Sequence, residues 1–142
     1  MSLWVLDTDH VSEFQRRNSK VVQRIYTINP DNIAVTIISV EEQIRGQLKV
    51  INEMNNLKSG DSLVQAYINL GETVKFFQNI HVLDFDQQAC NCYKEMKRQK
   101  IRIGTQDLKI ASIVLSQQGI LVTRNRKDFE KIPNLLIEDW TI

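Results

Sequence analysis

Four acidic side chains stand where the chain changes character. In "LWVLDTDH" the apolar run Leu3–Leu6 ends in Asp7, with Asp9 two residues on. Glu42 follows a second apolar run in "TIISVEEQIRG", Asp107 opens an apolar stretch in "RIGTQDLKIAS", and Asp128 lies just past another run in "ILVTRNRKDF". Carboxylates gathered a few ångströms apart resist joint ionisation. A divalent cation reverses that repulsion. It also brings phosphoryl chemistry, polarising a phosphate oxygen and activating water as a nucleophile. Together the four acids point to metal-dependent phosphodiester hydrolysis. Each also has a local explanation. Asp7 or Asp9 would cap a helix starting near His10. Ser39 and Glu42 have the spacing of a capping box, Asp107 would complement a helix dipole, and Asn125 and Asp128 repeat a cap-like spacing. Glu41 competes with Glu42, because adjacent helical positions point about 100° apart. Periodicity leaves that choice open, leaning slightly to Glu41.

The four acids can meet only if the elements between them return the chain to one edge. Short runs without alternation, Leu3–Leu6, Ile33–Ile38, Ile80–Leu83, Ile120–Val122 and Leu135–Ile137, read as buried strands of a parallel sheet. Ile44, Leu48, Ile51, Met54 and Leu57 keep helical spacing, as do Leu63, Tyr67, Leu70, Val74 and Phe77. Ser59-Gly60 between them suggests a helical hairpin. Ala89, Tyr93 and Met96 mark another helix, and the nearly all-apolar Leu108–Leu115 a central one. Strands alternating with helices predict a three-layer α/β/α sandwich with a mostly parallel sheet. Ligands of such sheets bind beyond the carboxyl ends of the strands, where Asp7 and its three companions fall. With no repeat, low-complexity segment or linker, residues 1–142 read as one domain.

Composition narrows the chemistry. A hydrophobic fraction of 42% with 25% charged residues suits a soluble globular protein. No apolar run reaches the ~20 residues of a membrane span, and the N-terminus lacks a signal-peptide pattern; the expectation is a cytoplasmic protein with no membrane partner. Cys90 and Cys92 are too close in sequence to pair readily and read as reduced thiols. With His10 and His81 the only imidazoles, a zinc site is disfavoured. A carboxylate-rich site favours Mg²⁺ or Mn²⁺. The net charge of +1 does not by itself announce a nucleic-acid binder.

The stretches "LDTDHVSEF", "ISVEEQIRG", "IRIGTQDLKIASIVL" and "GILVTRNRKDFEKIPNLLIEDW" resemble, in order and from residue 3 to 140, the PIN-domain ribonucleases, specifically VapC-like toxins of bacterial toxin–antitoxin modules. The resemblance places the family's acids on Asp7, Glu42, Asp107 and Asp128; its E-x-x-x-G pattern, ending here at Gly46, selects Glu42 over Glu41. Asp9 stands where the commonest family form has Asn, which leaves its role open. The resemblance implies a Mg²⁺- or Mn²⁺-dependent endoribonuclease, homodimeric and held inactive by a cognate antitoxin, that leaves a 5′-phosphate and a 3′-hydroxyl. Thr8, Ser39, Thr123 and Asn125 are candidates to orient the carboxylates or water.

Lys97, Arg98, Lys100 and Arg102, with Arg124, Arg126 and Lys127 beside the last acid, are candidate contacts to an RNA backbone. A solvated helix face explains the first group equally well. Trp4 and Trp140 read as packing residues. Tyr67, Phe76 and Phe77 fit either a partner surface or the core. Two alternatives stand beside the nuclease. One is a non-catalytic PIN-like module that binds RNA or protein. The other is a haloacid-dehalogenase-like phosphatase, suggested by "DTDHV" and "ILVT". Roughly twenty residues follow Thr123, too few for the further strand–helix unit that such a phosphatase needs.

Overall fold

The computed structural model describes residues 2–56 and 60–142, so Leu57 and Ser59 of the expected hairpin lie outside the described residues. Among these, β1 (Trp4–Leu6), β2 (Ile33–Thr36), β3 (His81–Leu83), β4 (Ile120–Val122) and β5 (Leu136–Glu138) form one sheet in the order β3-β2-β1-β4-β5. Every pairing is parallel. Seven helices accompany it: α1 (Thr8–Gln15), α2 (Ser19–Tyr26), α3 (Ile37–Met54), α4 (Asp61–Gln78), α5 (Gln87–Arg98), α6 (Thr105–Ser116) and α7 (Arg126–Phe129). The α/β/α sandwich expected from the sequence is what forms.

Strand side chains alternate between faces, and each face finds its own cover. Val5, Ala34, Leu83 and Leu121 pack with Ala89 and Met96 of α5 and with the buried residues of α6. Leu6, Val35 and Val122 pack on the opposite face with Val11 of α1, Val21 of α2 and Phe77 of α4. Burial on both faces explains the continuous apolar runs. Helix α6 is the most enclosed, with Leu108 and Ile110 to Val114 all buried. Gly119 joins it to β4 under the chain of β1, where a Cβ would lie 3.1 Å from the Leu3 carbonyl oxygen.

Two local expectations shift. The second strand stops at Thr36 rather than Ile38, because the Thr36 hydroxyl accepts the Ser39 N–H at 3.2 Å and caps α3. Ser39 is therefore already inside the helix, and the Ser39–Glu42 capping box does not form. A helix over Ser19–Tyr26, capped by Asn18, was not anticipated. Strand order reverses at β1: the chain leaving β1 goes one way across the sheet, and the chain leaving β4 goes the other. The crevice between their carboxyl ends is the natural ligand position of such a sheet.

Candidate active site

Asp7 leaves β1 and β4 ends beside it, the Asp7 N–H bonding to the Val122 carbonyl at 2.9 Å. Asp7 is the N-cap of α1 and its side chain accepts the first helical N–H, so the capping explanation holds as well. The residue is 6% exposed. Oδ1 accepts the Thr8 N–H and Oδ2 the Thr123 hydroxyl, both at 2.8 Å. Those two bonds do not offset the surroundings. Burial, then the charge of Asp9 and, more weakly, that of Asp107, push the carboxyl up to about 7.

Asp107 sits in the first turn of α6, half-buried. Burial raises its pKa, and the charges of Glu42, Asp128 and Asp9 raise it further; the amide of Asn125 acts the other way. Glu42 lies half-buried on α3 and accepts the Thr8 hydroxyl at 2.7 Å. Since the single proton of Thr8 goes to Glu42, Ser39 Oγ, 2.9 Å from Thr8 Oγ1, is the donor of that pair. Glu41 is exposed instead, paired with Arg45 at 2.6 Å and accepting from Gln106 at 2.9 Å. Tertiary contacts thus bring Glu42, not Glu41, against Thr8, and the charge of Glu42 is felt at Asp107. Asp128, on α7, accepts from Asn125 Nδ2 at 3.1 Å, and the same amide reaches Asp107 Oδ2 at 3.4 Å. All four candidate orienting groups therefore touch a site carboxylate or the group that holds one.

Among the described residues, no ion pair reaches Asp7, Glu42 or Asp107, and Asp128 has only Lys131, 3.8 Å away. Nor do any three Asp, Glu, His or Cys side chains converge closely enough, as placed, to form a ready-made metal cage. Asp107 is repelled by Glu42, Asp128 and Asp9, and Asp7 by Asp9 and Asp107, and these acids offer only oxygen donors. That donor set suits a hard divalent cation, whose charge would counter both the burial and the repulsion that raise Asp7 and Asp107.

The basic candidates are divided. Tyr93 lies under both Lys97 (5.2 Å) and Lys109 (5.9 Å), so the C-terminal end of α5 returns alongside the turn carrying Asp107. The Arg102 carbonyl accepts from Lys131 at 3.2 Å, which ties the α5–α6 loop to the turn after α7. Arg98 is engaged by Glu95 through two bonds of 2.9 and 2.6 Å. Lys100, in a left-handed turn at φ 59°, is exposed. Arg124 and Arg126 flank Asn125 but reach toward Glu13 (3.4 Å) and Glu130 (3.5 Å); Lys127 is exposed. Trp4 and Trp140 are packing residues, their indole N–H groups meeting at Glu138 at 3.4 and 2.9 Å. A cleft of about 780 Å³ lies away from the carboxylates, between α1–α2 and α3–α4, with Phe14, Val22, Tyr26, Thr73 and Phe76 on its walls.

Sequence reasoning left Asp9 open and passed over His10. Asp9 Oδ2 accepts the Arg124 N–H at 3.1 Å and lies 3.3 Å from Thr123 Oγ1, while Oδ1 is 2.7 Å from His10 Nδ1. His10 is fully buried. Its partner, Trp140, is 130 residues away, so no local pattern could have announced it.

No family model matches the chain. Among curated relatives, it is 26% identical to the ribonuclease VapC1 of Haemophilus influenzae over 98% of both chains. It is also 26% identical to the tRNA(fMet)-specific endonuclease VapC of Salmonella typhimurium over 99% of both. Among solved structures, it superposes on a chain of VapBC-1 from nontypeable Haemophilus influenzae with a TM-score of 0.75, at 25% identity, covering 99% of each chain. The likeness runs the length of the chain, through every connection that carries an acid.

Proposed function

We propose that this chain, a VapC-like PIN-domain protein, is an endoribonuclease and the toxin of a toxin–antitoxin pair. The observation that supports the reading is the charge coupling among acids from separate connections: Glu42 and Asp128 act on Asp107, and Asp107 acts on Asp7, while among the described residues only Lys131, beside Asp128, pairs with any of the four. Mg²⁺ or Mn²⁺ is the cofactor that suits them. When bound, the ion neutralises the substrate phosphate and makes water a competent nucleophile.

The chain's own residues then have distinct tasks. Asp7, Glu42, Asp107 and Asp128 hold the ion directly or through water. Thr123 aims Asp7, Thr8 and Ser39 aim Glu42, and Asn125 spans Asp107 and Asp128. Lys97, Lys100, Arg102 and Lys127 neutralise RNA phosphates on either side of the rim, with Arg98, Arg124 and Arg126 available once released from Glu95, Glu13 and Glu130.

The cleft beside Phe14, Tyr26 and Phe76 suits an amphipathic helix of the cognate antitoxin. The exposed stripe Val64, Tyr67 and Ile68 on α4 is available for self-association as a homodimer. Cys90 and Cys92 are free thiols, which suits a reducing cytoplasmic setting, and among the described residues no helix is long and apolar enough to cross a membrane.

The test is cleavage of total RNA by the purified, partner-free chain in Mg²⁺, Mn²⁺ or EDTA, beside Asp7→Asn and Asp107→Asn. Metal-dependent cutting lost in both variants is expected. Undiminished cutting by either variant overturns the site assignment. RNA left intact while RNA binding persists favours the non-catalytic module.

A further inference from the structure

Next to Asp9 lies a buried relay that the proposed reaction does not use. His10 is wholly enclosed, its ring edge-on to Trp140 with centroids 6.5 Å apart. The Trp140 backbone N–H points at Nε2 at 3.0 Å. A backbone N–H only donates, so Nε2 accepts and the ring proton resides on Nδ1. That proton faces Asp9 Oδ1 at 2.7 Å. Asp139 Oδ1, 3.5 Å from Nε2, is already served by the Thr141 N–H and hydroxyl at 2.8 and 2.6 Å.

Thr123 sets the stakes. Its oxygen accepts the Asn125 N–H at 3.0 Å, and it has one proton to give. Two carboxylates compete for it: Asp7 Oδ2 at 2.8 Å and Asp9 Oδ2 at 3.3 Å. Every donor supplied to Asp9 weakens its claim. The Arg124 N–H supplies one, at 3.1 Å, and His10 supplies the other.

We infer that His10, braced by the Trp140 backbone, is a positioning residue that saturates Asp9 and thereby keeps the Thr123 proton on Asp7. It rests on the reading of Asp7 as a metal ligand. Without the imidazole, half-buried Asp9 keeps one donor, draws the Thr123 hydroxyl across, and leaves Asp7 Oδ2 free to turn. In this arrangement Asp9 is a tensioned neighbour of the ligand set and not a member of it.

The experiment compares Mn²⁺ binding by calorimetry in wild type, His10→Phe, His10→Phe with Asp9→Asn, and His10→Gln. Glutamine offers one donor for Asp9 and one acceptor for Trp140; phenylalanine only fills the space. Loss of a group that orients a ligand typically weakens metal affinity ~10- to 100-fold, and that loss is expected for H10F. Adding D9N should return affinity to within about threefold of wild type, because a neutral amide no longer competes for the Thr123 proton, and H10Q should stay close to wild type. Equal weakness of H10F and the double variant, or an unchanged H10F, refutes the inference while leaving the metal reading intact. A wild type that binds no Mn²⁺ refutes that reading, and the inference with it. Should H10F not fold, the ¹⁵N spectrum of the metal-free wild-type ring decides: a proton on Nδ1 supports the relay, and a proton on Nε2 overturns it.

Discussion

Replacing Asp7 by Asn should stabilise the metal-free protein, increasingly so as pH rises. The folded chain pushes this carboxyl from 3.8 up to about 7, so it binds its proton more tightly folded than unfolded. Its favourable contribution is complete below about pH 4 and is lost as pH climbs through 7. A shift of about 3 pH units corresponds to about 4 kcal/mol at 1.36 kcal/mol per unit. Asparagine mimics the protonated acid. Its Oδ1 can take the Thr8 N–H, and its Nδ2 can donate to Thr123 Oγ1, which then turns its own proton to Asp9. In EDTA the variant should match wild type near pH 4 and gain about 1.4 kcal/mol per pH unit, reaching up to about 4 kcal/mol by pH 8. Chemical unfolding at fixed protomer concentration reads this directly. Saturating Mn²⁺ should narrow the gap, since only wild type gains binding energy, about 2.7 kcal/mol at a hundred times Kd. A pH-independent difference, or a less stable variant at pH 8 in EDTA, refutes the account of Asp7 as a strained carboxylate awaiting a cation.

Three further outcomes follow from the same geometry. Thr123→Val keeps the shape of the buried side chain but removes the Asp7 donor, and should slow RNA cleavage ~10- to 100-fold; wild-type rates in a gel assay would remove Thr123 from the site. Neutralising Lys97, Arg98 and Lys100 together should weaken RNA binding and, because Arg98 is already engaged by Glu95, lower the log–log salt slope by about 1.4 for single strands; an unchanged slope clears that face of any role. Phe129→Ala empties a fully buried position on α7 and should cost about 3–5 kcal/mol in denaturant unfolding. Because α7 carries Asp128, cleavage should fall with it.

Much of this molecule could be read from the chain alone, for identifiable reasons. Continuous apolar runs report strands buried on both faces, and all five expected strands form within two residues of their predicted limits. The acids were visible because a carboxylate that interrupts an apolar run is locally conspicuous, and parallel strands return every strand end to one edge. Other features depended on residues far apart in sequence. Helical phase at the start of α3 slightly favoured Glu41, yet the crossing of α3 and α1 presents Glu42 to Thr8, 34 residues away. The Ser39–Glu42 spacing imitates a capping box, but Thr36 had already begun the helix. Asp9 reads as one more charge until Arg124 and His10, the latter held by Trp140, bond to it. Local patterns record which residues must be buried and where the backbone must turn. Which carboxylate faces which hydroxyl depends on packing between elements, and only the folded chain brings those partners within hydrogen-bonding distance.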